Sequence, residues 1–391
     1  MLSVDLIATA TFGLEAIVAD EVKKLGYPDV KVENGKVEFT ADLSAIPRTN
    51  LWLRTADRVR LKIGEFKATT FDELFEKTKA LPWSDWIPVN GAFPVEGKSV
   101  KSKLFSISDS QAIVKKAIVE SLKNKYQLNW FEETGPLFKV EVAILKDIAT
   151  LTIDTTGPGL HKRGYRDWIG QAPLKETMAA ALLLLAKYHP DRTLIDPFCG
   201  SGTIPIEAAL IGQNIAPGMN REFVSESWPT ISKQLWRNAR AETHDLAIFE
   251  RKLEIIGTDI DSQVLTVARR NAFEAQVDEQ IHFQQMSFSE ISSKRKYGAI
   301  ICNPPYGERL SERSEVERLY REMGKVFSKF DTWSYYIITS HEGFEDLFGK
   351  KASKKRKLYN GNIKIDYYQY YGPRPPRQKE TGDVEGELQS E

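Results

Sequence analysis

Apolar positions along this chain fall into two regimes that meet near residue 160. In the first, Ile7 to Thr11 has strand character, and Leu14, Ile17, Val18, Val22 and Leu25 follow at helical spacing before Gly26. Val30 to Phe39 surrounds Asn34-Gly35, a pair that predicts a hairpin between alternating apolar residues. Ile113, Val114, Ala117, Ile118 and Leu122 then mark one face of a helix. Strands and helices mixed in this way predict an α+β region. In the second regime, apolar runs near 193–196, 253–258, 281–285, 297–302 and 333–339 alternate with helical segments, which predicts a doubly wound α/β sheet. Arg356 to Tyr359 and Ile363 to Tyr371 flank Asn360-Gly361 and predict a final antiparallel hairpin. Pro373 to Glu391 is rich in Pro, Gly and acids with no apolar period, so a disordered tail is expected.

Length adds that two or three domains are expected, because 391 residues exceed the size at which a single core stops growing. The longest apolar runs, such as Met178 to Ala186, fall far short of a membrane span. Met1-Leu2-Ser3-Val4-Asp5 lacks the basic start of a secretion signal, so a cytoplasmic location and no membrane partner are expected. Basic and acidic residues balance at 54 each, so an anionic partner would have to meet a local patch. Candidate patches are Arg54 to Lys67, Lys98 to Lys103, Lys162 to Arg166 and Lys350 to Lys357. The Lys-Ser alternation at 98–103 suits phosphates, with a solvated loop as the plainer explanation.

Candidate chemistry concentrates in three segments of the α/β half. Asn303-Pro304-Pro305-Tyr306 follows the apolar run Tyr297 to Cys302, as a loop would follow a strand. Two prolines fix φ and remove two backbone donors, leaving carbonyls free to face a ligand. The Asn303 amide and a proline carbonyl would form a rigid acceptor pair suited to an exocyclic base amine, and Tyr306 offers a face for stacking. On these residues alone, an ordinary turn closing a buried strand fits as well.

The second segment, Leu194 to Thr203, passes from strand character through Asp196-Pro197-Phe198-Cys199-Gly200-Ser201-Gly202-Thr203 into an apolar helix. Pro205 stands where a dinucleotide fold needs its third glycine, and no lysine follows either glycine as a phosphate-cradling loop requires. Asp196 suits a cationic or amino-bearing ligand better than a pyrophosphate. The third segment, Leu253 to Asp261, is a strand ending in acids, and a carboxylate at its tip can accept both hydroxyls of a ribose. Together the parts describe a site for a nucleoside without a phosphate.

With D-P-F-C-G-S-G-T, G-T-D-I-D and N-P-P-Y in this order, the chain resembles class I S-adenosylmethionine-dependent methyltransferases that methylate amines. Upstream, His161 to Arg166 and Ala172 to Thr177 resemble the entry segment of members that carry an N-terminal THUMP domain. Within these, the chain is similar to bacterial large-subunit ribosomal RNA guanine-N2 methyltransferases. The resemblance implies a Rossmann-like methyltransferase domain with a mostly parallel seven-stranded sheet. It implies a ferredoxin-like subdomain at 1–55, a THUMP domain at 56–160, the methyltransferase domain at 161–373 and an acidic tail at 374–391.

S-adenosyl-L-methionine is then the expected cofactor, held by Pro173, Leu174, Thr177, Asp196, Pro197, Phe198, Gly200, Ser201, Gly202, Thr203, Asp259, Ile260, Asp261, Ser287 and Asn303. The partner is expected to be RNA, large-subunit rRNA first, contacted by Lys98, Lys101, Lys103, Lys162, Arg163 and Arg166. Asn303, Pro304, Pro305 and Tyr306 would form the catalytic loop for direct methyl transfer. Two departures stand out. Gln213 to Lys252 is an insertion whose Trp228 and Trp236 suggest a helical flap over the pocket, and Ser287 occupies a position where many relatives place an aspartate for the adenine amine.

Rival chemistries are open to test on the same residues. Carbon-5 pyrimidine methylation needs a nucleophilic thiol, which usually follows a proline, whereas Cys302 follows Ile301 and Cys199 follows Phe198. Two cysteines suit a reducing compartment, and five dispersed histidines lack metal-ligand spacing, so no metal is expected. A DNA amine methylase, a protein-glutamine methyltransferase and a non-catalytic RNA-binding assembly factor remain as alternatives. No heptad or exposed apolar stripe indicates an oligomeric state.

Overall fold

The computed structural model describes residues 3–166, 174–306, 310–361 and 363–376. Pro173 and the tail beyond residue 376 lie outside the described residues. Two seven-stranded sheets, one in each half, organise the chain.

The first half contains β1 (Ser3–Ala10), α1 (Glu15–Lys24), β2 (Val30–Glu33), β3 (Lys36–Asp42), α2 (Ala45–Trp52), β4 (Ala56–Lys67), α3 (Phe71–Lys79), β5 (Val95–Val100), α4 (Ile107–Tyr126), β6 (Val140–Leu145) and β7 (Ile148–Asp154). The strand, helix and hairpin order expected at its start is present, with Glu33 paired to Lys36 across Asn34-Gly35 and Gly35 at φ +77°. The sheet order is β2-β3-β1-β4-β7-β6-β5, so it runs unbroken past residue 55, because β4 pairs with both β1 and β7. Helix α4 starts where the Ser106 hydroxyl accepts the Asp109 N–H, and its buried face is Val114, Ala117, Ile118 and Leu122.

The second half contains α5 (Glu176–Leu185), β8 (Leu194–Asp196), α6 (Thr203–Gly212), α7 (Lys233–Leu246), β9 (Ile255–Asp259), α8 (Ser262–Glu274), β10 (Ile281–Gln285), β11 (Ala299–Cys302), α9 (Leu310–Phe327), β12 (Ser334–Thr339), α10 (Phe344–Phe348), β13 (Lys354–Asn360) and β14 (Ile363–Tyr370). Its order is β10-β9-β8-β11-β12-β14-β13, with parallel pairing except where β14 runs against both neighbours. Strands buried on both faces explain why β8 and β11 read as continuous apolar runs. The order reverses between β8 and β11, and ligands bind at the carboxyl ends of strands at such a point.

The insertion is not a flap over that point. Trp228 is buried in the core of the first half, where it stacks on Phe138 at 4.7 Å and donates its Nε1–H to Leu137 O at 3.0 Å. Trp236 lies in the same core against Phe223, and Arg48 forks onto both oxygens of Glu242 at 2.7 Å. A buried indole needs apolar area and an acceptor, and the base of β6 supplies both. Gln213 to Lys252 therefore clamps one half to the other. Gly218 completes the clamp, since a Cβ there would come within 2.8 Å of Leu51 Cα.

Candidate active site

Parallel pairing of Ala299 with Leu194 and Ile300 with Ile195 makes β8 and β11 emerge side by side. The glycine loop and Asn303-Pro304-Pro305-Tyr306 consequently open onto the same edge of the sheet. Adjacent on the other side, β9 places Asp259 at its tip, two residues beyond the Asp196–Gly257 pair.

Three glycine positions shape this edge. Gly200 takes φ +51° and a Cβ there would meet nothing within 4 Å, so the loop faces open space. Gly202 takes φ +84° at the start of α6, and a Cβ would press to 3.0 Å of the Phe283 ring. At Gly257 the same ring would stand 2.8 Å from a Cβ, so β9 can approach β10 and the loop only without a side chain.

Asp259 organises the loop rather than merely lying beside it. Its Oδ2 accepts the Gly200 N–H at 3.0 Å and its Oδ1 the Asp261 N–H at 3.1 Å. A carboxylate has about four acceptor sites, which leaves room for the two hydroxyls of a ribose. Asp261 caps α8 by accepting the Gln263 N–H at 2.8 Å, and Ile260 between them is 70% exposed, an apolar side chain held out at the rim. Asp196 is buried and accepts the Phe198 N–H at 3.1 Å; burial, with Asp259 adding to it, pushes its carboxyl well above the usual range. A nearby cation would relieve that cost. Pro197 is buried, and Phe198 stacks on Phe288 with centroids 5.2 Å apart. The carbonyl of Ser201 accepts from Asn271 Nδ2 at 3.0 Å. Ser287 caps the short turn 288–290, its hydroxyl already meeting Ser289 N–H and Oγ.

In the proline loop, Pro304 is buried and no hydrogen bond reaches its carbonyl among the described residues. The Tyr306 hydroxyl donates to Asn303 Oδ1 at 2.6 Å. Pro305 is anchored by a residue that sequence reading missed: the Tyr320 hydroxyl donates to Pro305 O at 2.7 Å and meets Thr339 Oγ1 at 2.8 Å. Tyr320 sits on amphipathic α9, where the only sequence signal is a core aromatic.

The residues expected at RNA separate into two kinds. Lys98, Lys101 and Lys103 are exposed on and after edge strand β5, with Lys98 3.0 Å from Glu141. Lys162 is exposed as well. Arg163 is not: at 4% exposure it pairs with Glu207 at 3.3 Å and donates to Leu160 O and Arg54 O, so its charge is consumed at the junction of the halves. Arg166 is also withdrawn, binding Glu176 and Leu174 O at 3.3 Å and the Thr203 hydroxyl. It thereby joins Leu174 and Thr203, two of the expected cofactor residues, while Thr177 is buried one residue beyond Glu176.

Both cysteines are buried and their thiols are pushed up, by burial first and then Asp196, which disfavours a thiolate nucleophile. Among the described residues no group of three His, Cys, Asp or Glu side chains could hold a metal ion, and no helix is long and apolar enough to cross a membrane.

Comparison with known proteins agrees with this geometry. Residues 163–369 match the family model described as RMKL-like, methyltransferase domain, residues 5–60 match the RlmL ferredoxin-like domain, and residues 68–154 match the THUMP domain. A Bacillus subtilis (strain 168) protein named "Putative RNA methyltransferase YpsC" is 56% identical over 96% of this chain and 98% of its own. A Listeria monocytogenes structure described as a "predicted N6-adenine-specific DNA methylase" is 60% identical with a TM-score of 0.92, covering 95% of this chain and 97% of that one. The structure of SMU.472, described as a methyltransferase complexed with SAH, is 46% identical with a TM-score of 0.91, covering 96% of this chain and 100% of that one.

Proposed function

The chain belongs to the RMKL-like, methyltransferase domain family, and we propose that it methylates guanine N2 of large-subunit rRNA. Its first half is ferredoxin-like and THUMP, its second a class I methyltransferase domain, and the cofactor is S-adenosylmethionine. The observation that carries the reading is the pairing of β8 with β11, which sets the nucleoside loop beside Asn303-Pro304-Pro305-Tyr306.

S-adenosylmethionine supplies an electrophilic sulfonium methyl when bound. Asp259 would hold the ribose, Gly200 to Thr203 would line its floor with Pro197 and Phe198, and Leu174 and Thr177 would close one side. Ile260, Asp261 and Ser287 border the adenine. Asn303 Oδ1 and the Pro304 carbonyl accept the two N–H groups of the base amine, turning its lone pair toward the methyl, and Tyr306 stacks on the flipped base. Buried Asp196 offsets positive charge. The excess proton leaves to solvent after transfer, so no covalent link to the protein forms. Lys98, Lys101, Lys103 and Lys162 contact phosphates.

The test is transfer of labelled methyl to large-subunit rRNA, small-subunit rRNA, tRNA and duplex DNA, followed by nucleoside mass spectrometry. N2-methylguanosine in large-subunit rRNA is the expected product. Methyladenine in DNA would overturn the substrate and leave the amine-gripping loop standing; no product from any of the four would overturn the RNA assignment.

A further inference from the structure

A cavity of about 720 Å³ lies between the linker at 158–166, residues 220–222 of the insertion and the start of α5. Its walls carry unbalanced charge. Arg163 is matched by Glu207 and Arg166 by Glu176. Among the described residues Arg221 donates only to main-chain oxygens, those of Pro158, Gly159, Lys162 and Glu222. Lys162 and Lys175 are exposed and have no ion pair among the described residues. Against these three cations the lining offers, among the described residues, one unmatched carboxylate, exposed Glu222, while Asp57 on β4 faces Lys175.

His161 stands in the same wall with its imidazole uncharged, its pKa pulled down to about 4 by burial and then by Lys175, Lys162, Arg163 and Arg221. A neutral imidazole beside Lys162, Lys175 and Arg221, none of them ion-paired among the described residues, is a hydrogen-bonding group placed to meet an anion. A second cavity of about 500 Å³ adjoins at Pro158 and Glu222 and continues past Lys139 and Phe223 toward the base of β6. At the opposite end, Arg166 forms wall and cofactor loop at once through Thr203. The two cavities thus make a path between the first half and the methyl-transfer edge.

We propose that the larger cavity is a phosphate subsite for the RNA strand that leads to the target base, with Lys162, Lys175 and His161 as its contacts. Lys175 and His161 lie outside every patch legible as basic sequence. The subsite rests on the RNA reading above and extends it to a single-stranded approach, in which a backbone phosphate is gripped just before the base turns into the site.

The experiment compares full-length wild type with the double variant Lys162→Glu/Lys175→Glu, and with Lys329→Glu as a charge control remote from the cavity. RNA titrations across salt and steady-state methylation are measured on the same preparations. The double variant should raise the KM for RNA at least tenfold with kcat and cofactor affinity within twofold. Its salt slope should flatten by about 1.4, from two lost phosphate contacts at roughly 0.7 each for single strands. The His161 ring, followed by NMR, should titrate higher when a single-stranded oligoribonucleotide is added to wild type, and not in the double variant. Unchanged KM and slope in a variant that wild-type circular dichroism shows to be folded would overturn the subsite alone. Failure of wild type to bind or methylate any RNA would overturn the RNA reading together with it.

Discussion

The Tyr306 hydroxyl donates a 2.6 Å hydrogen bond to Asn303 Oδ1, the oxygen assigned to the base amine. The residue proposed to stack on the base and the residue proposed to grip it are therefore coupled before any base arrives. A carbonyl oxygen has two lone pairs, so Oδ1 can accept both donors, and the tyrosine fixes which way the amide faces. Asn303→Ala should lower kcat by about a thousandfold or more with cofactor affinity within threefold. Tyr306→Phe keeps the ring and loses the orienting bond, so about a tenfold loss is expected; Tyr306→Ala should lose far more. Equal kcat values for the two tyrosine variants would remove stacking from the mechanism.

Tyr320 supports the loop from below, through Pro305 O and Thr339 Oγ1. Tyr320→Phe should cost about 1–2 kcal/mol in urea unfolding, since it removes the hydrogen bonds to Pro305 O and to buried Thr339, whose oxygen keeps only the His341 N–H. A small displacement of the loop should also lower kcat by about tenfold to a hundredfold while leaving cofactor binding intact. Calorimetric binding and single-turnover rates on one preparation separate the two effects.

Burial, with Asp259 adding to the effect, pushes the Asp196 carboxyl well above its usual range. A cationic ligand favours the ionised carboxylate, so binding S-adenosylmethionine should release a proton and strengthen as pH rises toward the raised pKa. Titration calorimetry in buffers of different ionisation enthalpy measures the proton count. Asp196→Asn should bring that count near zero; an unchanged count would place the released proton elsewhere.

His161 links stability to pH in the same direction as a paired carboxylate, in a higher window. Its folded pKa of about 4 lies below the ordinary 6.5, so between those values the unfolded chain binds the extra proton. Stability should fall as pH drops from 6.5 to 4 and level off below. The cations facing the ring are Lys175, Lys162, Arg163 and Arg221. His161→Gln should show a shallower decline in urea midpoint over the window than wild type does.

Trp228 is buried against Phe138 with its indole N–H satisfied. Trp228→Ala should lower unfolding free energy by about 3–5 kcal/mol, the range for a large aromatic lost from a core. Because the damage falls in the first half, differential scanning calorimetry should show the unfolding of that half separating from the other.

What could be read from local pattern was read with good register. The run at 193–196 became Leu194–Asp196, that at 297–302 became Ala299–Cys302, and the pair around Asn360-Gly361 became β13 and β14. Strand tips and the loops after them were legible because turn residues and apolar runs are neighbours in sequence. Arg163 was misplaced at RNA for the converse reason: a charge is taken as solvated unless its partner is visible, and Glu207 stands 44 residues away. The partner of Trp228 is 91 residues distant at Leu137, so the insertion looked like a flap. The Tyr320 support was hidden because a helical aromatic with a buried hydroxyl partner has the same sequence signature as one without.

Gly218 brings the insertion's main chain against that of Leu51, and no side chain could be added there without moving one of them. The two halves consequently share a seam of backbone, and their separation is a fixed length. An RNA held by the first half, as proposed, would meet the methyl-transfer edge at one spacing, and selection would become a matter of measuring. Lengthening a substrate stem by one base pair would carry the target past the edge, whereas a different base sequence at the same distance would leave it in reach.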